Sequence, residues 1–162
     1  MPWWPNPNPC DPCNPWLNFL MLPKTMRAES FKAVLKKTVG YRYLLHVPEG
    51  VAYEPRKRWP LLLFLHGIGE RGRAPWTVAK NGPPRLLAAR TKRRGAFRRH
   101  SDAAADRLAE NFIVVSPQCP PGEVWDSDTL LALIDEVSAR QRIDARRVYL
   151  TGLSMGGFGS WA

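Results

Sequence analysis

The chain has 162 residues, a net charge of +10 at neutral pH, and 44% hydrophobic against 23% charged residues. That is enough chain for one domain with its own core. Its apolar stretches, at 59–65 and 112–115, fall short of the roughly 18–20 residues of a membrane-crossing helix, which excludes a helical membrane span.

The first sixteen residues contain no Lys or Arg and a proline at almost every second position. Proline removes a backbone donor and fixes φ, so this segment sustains neither helix nor ladder. We read 1–25 as a disordered Pro/Asn/Trp-rich tail and 26–162 as the domain. The secretory pattern of a basic start, apolar centre and small-residue cleavage site is missing, so localisation is open, with the cytoplasm as the default expectation. Cys10 and Cys13 form a lone Cys-Asp-Pro-Cys pair without a second pair or a histidine at zinc spacing, and Cys119 makes the set odd. We therefore expect no metal site and no cofactor.

From Val39, Tyr41, Tyr43, Leu45 and Val47 alternate with Arg42 and His46. Period two predicts a half-buried strand near a sheet edge, antiparallel to its neighbour and ended by Pro48 and Gly50. Leu61-Leu62-Leu63-Phe64-Leu65 is a continuous apolar run that suits a strand covered on both faces. Residues 112–116 repeat this pattern up to Pro117, and 147–151 repeat it up to Gly152. Between the last two runs, Leu130, Leu133, Ile134 and Val137 form one helical stripe, with Asp126 or Ser127 placed to cap it. Strand, helix, strand is a βαβ unit, and functional loops gather at the carboxyl ends of such strands.

Much of the positive charge is local. Eight bases, Arg85, Arg90, Lys92, Arg93, Arg94, Arg98, Arg99 and Arg107, stand against Asp102 and Asp106. With Phe97 as its only aromatic, the stretch reads as a solvated, mobile loop, with specific nucleic-acid recognition not expected. Non-catalytic polyanion binding through 85–107 is the alternative function from another class.

Thr151-Gly152-Leu153-Ser154-Met155-Gly156-Gly157 contains Gly-x-Ser-x-Gly between a predicted strand and a predicted helix. A serine becomes a nucleophile when a tight turn holds its hydroxyl proud of the sheet, and neighbouring glycines make that turn sterically feasible. The backbone N–H groups and dipole of the helix behind it favour charge developing on an attacked carbonyl oxygen. His66-Gly67-Ile68-Gly69 follows the 61–65 strand, where a second loop would complete an oxyanion hole. The expected donors are the N–H groups of Met155 and Ile68. His66, at a strand end, is expected to be a structural histidine rather than a base, because triad order in this architecture runs Ser, acid, His. His46 and His100 have weaker claims to that role.

With these residues in view, most of 41–162 resembles α/β-hydrolases of the phospholipase/carboxylesterase type, near the polyhydroxybutyrate-depolymerase and feruloyl-esterase branch. The similarity lies in Tyr43-Leu44-Leu45-His46-Val47-Pro48-Glu49-Gly50, Trp59-Pro60-Leu61-Leu62-Leu63-Phe64-Leu65-His66-Gly67-Ile68-Gly69-Glu70-Arg71-Gly72, Val114-Val115-Ser116-Pro117-Gln118-Cys119-Pro120 and 147–157. The resemblance implies an α/β fold with a mostly parallel sheet and a nucleophile elbow. It implies Ser154 as nucleophile, Met155 and Ile68 as oxyanion donors, and Trp125-Asp126 as a cleft-edge pair. The reaction implied is hydrolysis of a small-molecule carboxylic ester through a serine acyl-enzyme; a serine peptidase of the same fold is a further alternative.

The sequence departs from the family pattern in two places. The stretch 90–107 looks like a basic insertion. The chain also ends eight residues after Ser154, whereas the family supplies its Asp and His later. We therefore expect a C-terminally truncated, inactive and marginally stable form in which 147–151, built to be central, is left as an exposed apolar edge; oligomeric state is open.

Overall fold

The computed structural model describes Ser30 and residues 38–93 and 103–161. By internal contacts the chain divides into Met1–Lys37 and Thr38–Ala162, and the described architecture is essentially that of the second unit. The expected tail, Cys10, Cys13, His100 and the middle of the basic stretch lie outside the described residues.

The elements run β1 (Arg42–His46), α1 (Gly50–Tyr53), β2 (Trp59–Leu65), two 3-10 turns (Ile68–Glu70 and Pro75–Lys80), α2 (Gly82–Arg93), α3 (Ala103–Asn111), β3 (Ile113–Gln118), α4 (Ser127–Arg140), β4 (Ile143–Gly152) and α5 (Met155–Gly159). The sheet order is β1-β3-β2-β4. β2 is parallel to β3 and β4, while β1 is antiparallel to β3. The carboxyl ends of β2, β3 and β4 therefore share one edge, which assembles the loops after Leu65, Gln118 and Gly152.

The apolar run in β2 is buried as expected of a strand between two neighbours: Trp59, Leu61, Leu63 and Leu65 are all at most 1% exposed. β3 is buried throughout and continues past the expected stop at Ser116, carrying Pro117 opposite Tyr43 and Gln118 opposite Arg42. In β1 the alternation is imperfect, with Leu45 41% exposed and Leu44 half-buried. β1 is an outer strand, so sheet neighbours cover it on one flank only.

Residues 147–151 carry the pattern of a central strand, and the expectation for this chain is that they stand as an exposed apolar edge; they are indeed not buried. β4 is longer, starts at Ile143, and is outermost in the sheet, with Val148, Tyr149 and Leu150 37–48% exposed. Among the described residues only β2 pairs with it, so its other edge has no ladder partner. The basic stretch, by contrast, needs correction: it is not simply a loop. Arg85 and Arg90 lie on α2 and Arg107 on α3, and Arg90 joins the two helices through Asp106 at 2.9 Å and Glu110 at 3.6 Å.

α4 matches its sequence pattern. Asp126 caps it by accepting from the Thr129 N–H at 3.0 Å, and Leu130, Leu133 and Val137 are buried. Those side chains join Trp59, Leu61, Leu63, Leu65, Ile113 and Val115 in one core.

Candidate active site

Ser154 stands between β4 and α5 with φ 52° and ψ −115°, the only non-glycine residue with positive φ among those described. L-residues avoid this region, and holding one there costs on the order of 1–3 kcal/mol unless surrounding bonds over-determine it. Those bonds are present: the Leu153 N–H donates to the Leu65 carbonyl at 3.0 Å, the Gly156 N–H to the Leu153 carbonyl at 2.9 Å, and the Phe158 N–H to the Ser154 carbonyl at 3.1 Å. The turn also packs tightly on its surroundings. A Cβ on Gly156 would lie 1.9 Å from the Leu65 carbonyl oxygen, and one on Gly152 would lie 2.1 Å from the Gly156 carbonyl oxygen. The glycines flanking Ser154 are thus required by close backbone approach.

The loop after β2 lies beside this turn. A Cβ placed on Gly67 would be 3.4 Å from the Leu153 carbonyl oxygen and 3.6 Å from the Ser154 Cβ. Ile68 opens the following 3-10 turn and Met155 opens α5, so neither N–H has a partner in the preceding turn. Among the described residues no backbone acceptor engages either group. Ser154 is exposed, Ile68 is 58% exposed and Met155 is half-buried.

His66 is 1% exposed and both ring nitrogens are engaged. Nε2 faces the Cys119 N–H at 3.0 Å and must accept. The proton therefore sits on Nδ1, which donates to the Gly67 carbonyl at 2.6 Å. Burial pushes the imidazole below its ordinary range, partly offset by the Gly67 carbonyl and Glu70. A trans peptide directs the Ile68 N–H opposite to the Gly67 C=O, so the bond from His66 also fixes how that amide points. This is the structural histidine expected from the sequence. His46 is also occupied, with Nε2 2.9 Å from the Ala109 carbonyl.

Trp125 and Asp126, expected at a cleft edge, form a brace behind the loop. Trp125 is 6% exposed and donates from Nε1 to the His66 carbonyl at 3.2 Å. Its ring stands edge-on to His66 at 4.9 Å and to Tyr41 at 5.5 Å. The Asp126 N–H donates to the Tyr41 hydroxyl at 3.2 Å.

Sequence reasoning missed Glu70 and Gln118. Glu70 is buried, takes a hydrogen bond from Asn81 Nδ2 at 2.6 Å, and holds Oε2 4.0 Å from His66 Nδ1. Gln118 Nε2 donates to the Glu70 carbonyl at 3.0 Å and to Thr77 Oγ1 at 2.6 Å. Glu70 lies four residues after His66 in a glycine-rich loop, a spacing that could have drawn notice. Nothing local marks Gln118. Among the described residues no cluster of His, Cys, Asp and Glu could hold a metal, and no helix is long and apolar enough to cross a membrane.

No protein-family model matches the chain, and no curated protein matches it. Among solved structures it is similar to a thermostable esterase, with 31% identity and a TM-score of 0.54 over 74% of this chain and 32% of that one. The chain thus spans about a third of the esterase's length. The mixed sheet with its helices, together with this likeness, is compatible with an α/β-hydrolase fold.

Proposed function

We propose that this chain is the nucleophile-bearing portion of a serine hydrolase that cleaves carboxylic esters, of the phospholipase/carboxylesterase type. One observation carries the reading: Ser154 is held at φ 52° on a strand-to-helix turn with the Gly67 loop packed against it. The likeness to an esterase favours esters over peptides, since this geometry by itself serves either.

In this reading the turn is a nucleophile elbow. Ser154 Oγ attacks the ester carbonyl, its proton passes to a base, and the negative charge on the carbonyl oxygen is met by the Ile68 and Met155 N–H groups. His66 holds the loop and stays neutral. Collapse of the tetrahedral intermediate expels the alcohol and leaves an acyl-serine, which water hydrolyses.

The base comes from outside the described residues, because His46 and His66 are both committed elsewhere. In the proposal, the acid and histidine belong to polypeptide of the kind that makes up the other two thirds of the similar esterase. The 162-residue chain is then expected to turn over short p-nitrophenyl esters little or not at all.

The test is labelling by a fluorophosphonate probe, which reacts with activated serines, in a longer polypeptide containing this chain. Labelling that maps to Ser154 and disappears in Ser154→Ala is the expected result. Labelling that survives this substitution, or brisk ester turnover by the 162-residue chain carrying Ser154→Ala, overturns the assignment.

A further inference from the structure

The peptide between Gly67 and Ile68 needs holding in place. Glycine at 67 leaves the backbone free to rotate that peptide, a motion that would exchange the directions of the Gly67 carbonyl and the Ile68 N–H. In the structure the Gly67 carbonyl is turned toward the buried His66 ring, accepting from Nδ1 at 2.6 Å and from the Glu70 N–H at 3.2 Å.

Glu70 closes this turn and is fixed at three points. Its N–H is spent on Gly67, and its carbonyl accepts from Gln118 Nε2 at 3.0 Å and Thr77 Oγ1 at 3.3 Å. Gln118 Nε2 also donates to Thr77 Oγ1, while its Oε1 has no hydrogen-bond partner, so this amide serves here as a donor. The third point is the carboxyl group. Oε1 accepts from Asn81 Nδ2 at 2.6 Å, and Oε2 lies 3.3 Å from where a Gly67 Cβ would stand and 4.0 Å from His66 Nδ1. The side chain thus folds back over the Gly67 α-carbon. Asn81 is anchored in turn: Gly82 follows it at φ 60°, and a Cβ there would meet the Phe64 ring at 2.6 Å, which seats the start of α2 on β2.

Glu70 is 8% exposed, and among the described residues no Lys or Arg pairs with it. Burying a carboxyl group costs desolvation that an apolar side chain would not, so turn closure alone gives no reason for it. We infer that Glu70 is a positioning residue for the proposed esterase: latched by Asn81, it holds the 67–68 peptide so that the Ile68 N–H stays available to the carbonyl oxygen of an ester on Ser154. Glu70 does not touch the substrate and acts through the peptide. The inference rests on the esterase reading for what the Ile68 N–H does, whereas the latch is carried by the contacts themselves.

The test is fluorophosphonate labelling of Ser154 in the longer polypeptide, resolved into probe affinity, maximal rate and final labelled fraction. Glu70→Ala should lower the maximal rate at least about ten-fold, short of the roughly hundred- to thousand-fold typical of deleting an oxyanion donor, with affinity and final fraction near the parent's. Asn81→Ala should act in the same direction, and the double variant should be no slower than Glu70→Ala, since both remove one latch. Glu70→Gln, whose amide oxygen still accepts from Asn81, should restore most of the rate. Should Glu70→Ala lose labelled fraction through misfolding, Asn81→Ala decides: a slower rate at full labelled fraction supports the latch, and the parent rate overturns it. A labelled parent whose alanine variants keep its rate overturns the positioning role alone. A parent that is never labelled overturns the esterase reading and this role with it.

Discussion

His66 links acid sensitivity to the proposed oxyanion loop. Burial lowers its proton affinity in the folded chain, whereas in the unfolded chain it titrates near 6.5. The unfolded state thus binds more protons as pH drops, and stability complete above about 6.5 is lost progressively below it. Urea midpoints measured from pH 7.5 to 5.5 should fall, and the slope should flatten in His66→Gln, which has no imidazole to protonate. His66→Gln should also lower the unfolding free energy at pH 7.5 by about 1–3 kcal/mol, for disturbed buried hydrogen bonds. At Ser154 the positive φ sets a different expectation. Ser154→Gly removes the Cβ that makes this conformation unfavourable, so it should be more stable than Ser154→Ala by on the order of 1 kcal/mol in paired denaturation curves. Cys119 is buried and its thiol is pushed up to about 11 by desolvation, so it has little thiolate at neutral pH. Iodoacetamide at pH 8 should spare it in the folded chain and modify it after denaturation, as peptide mass mapping would show.

Among the elements, α4 and the α2–α3 pair each carry a polar contact whose removal can be measured. Asp126 accepts from both the N–H and the hydroxyl of Thr129 and satisfies one of the helix's orphan donors. Asp126→Ala should cost about 1 kcal/mol in thermal denaturation, the usual worth of an N-cap. The Arg90 to Asp106 bond is partly buried, with side chains 24% and 17% exposed, and it ties together helices on either side of the undescribed 94–102 segment. That commitment removes one charge from the basic run and weakens the alternative reading of 85–107 as a polyanion site. Any nucleic-acid binding should be weak, without sequence preference, and lost steeply as salt rises in a filter-binding titration.

For the whole molecule, β4 sets the behaviour in solution. Its open edge carries Val148, Tyr149 and Leu150 in partial exposure, and Phe158 and Trp161 beyond it are 82% and 93% exposed. Beyond Arg147 the strand carries no charge, and among the described residues its outer edge has no ladder partner; an apolar edge of this kind recruits strands from other chains. The isolated 162-residue chain should therefore self-associate in light scattering at micromolar concentration. Val148→Lys with Leu150→Lys should shift it toward monomer, because charge on an outer strand disfavours edge pairing. A monodisperse parent chain with a cooperative melt would show that this edge is protected.

Local chemistry is what the sequence determined. Continuous apolarity in 61–65, the 3.6-residue stripe from Leu130 to Val137, a helix cap at Asp126 or Ser127 and the Gly-x-Ser-x-Gly turn are short-range signals. Each was legible because steric and hydrogen-bond rules act within a few residues. The tertiary structure decided where those elements stand. The residues of β4 look like those of a central strand, yet its burial depends on what lies beyond its far edge, and no local pattern encodes that. It also decided the company each side chain keeps. Cys119 donates to His66 across 53 residues, Gln118 reaches Glu70 across 48, and Asp126 meets Tyr41 across 85. Contacts at such separations follow from strand order and register, which satisfy the whole core at once, so the imidazole's tautomer and the orphan oxygen of Gln118 appear only when the sheet is assembled.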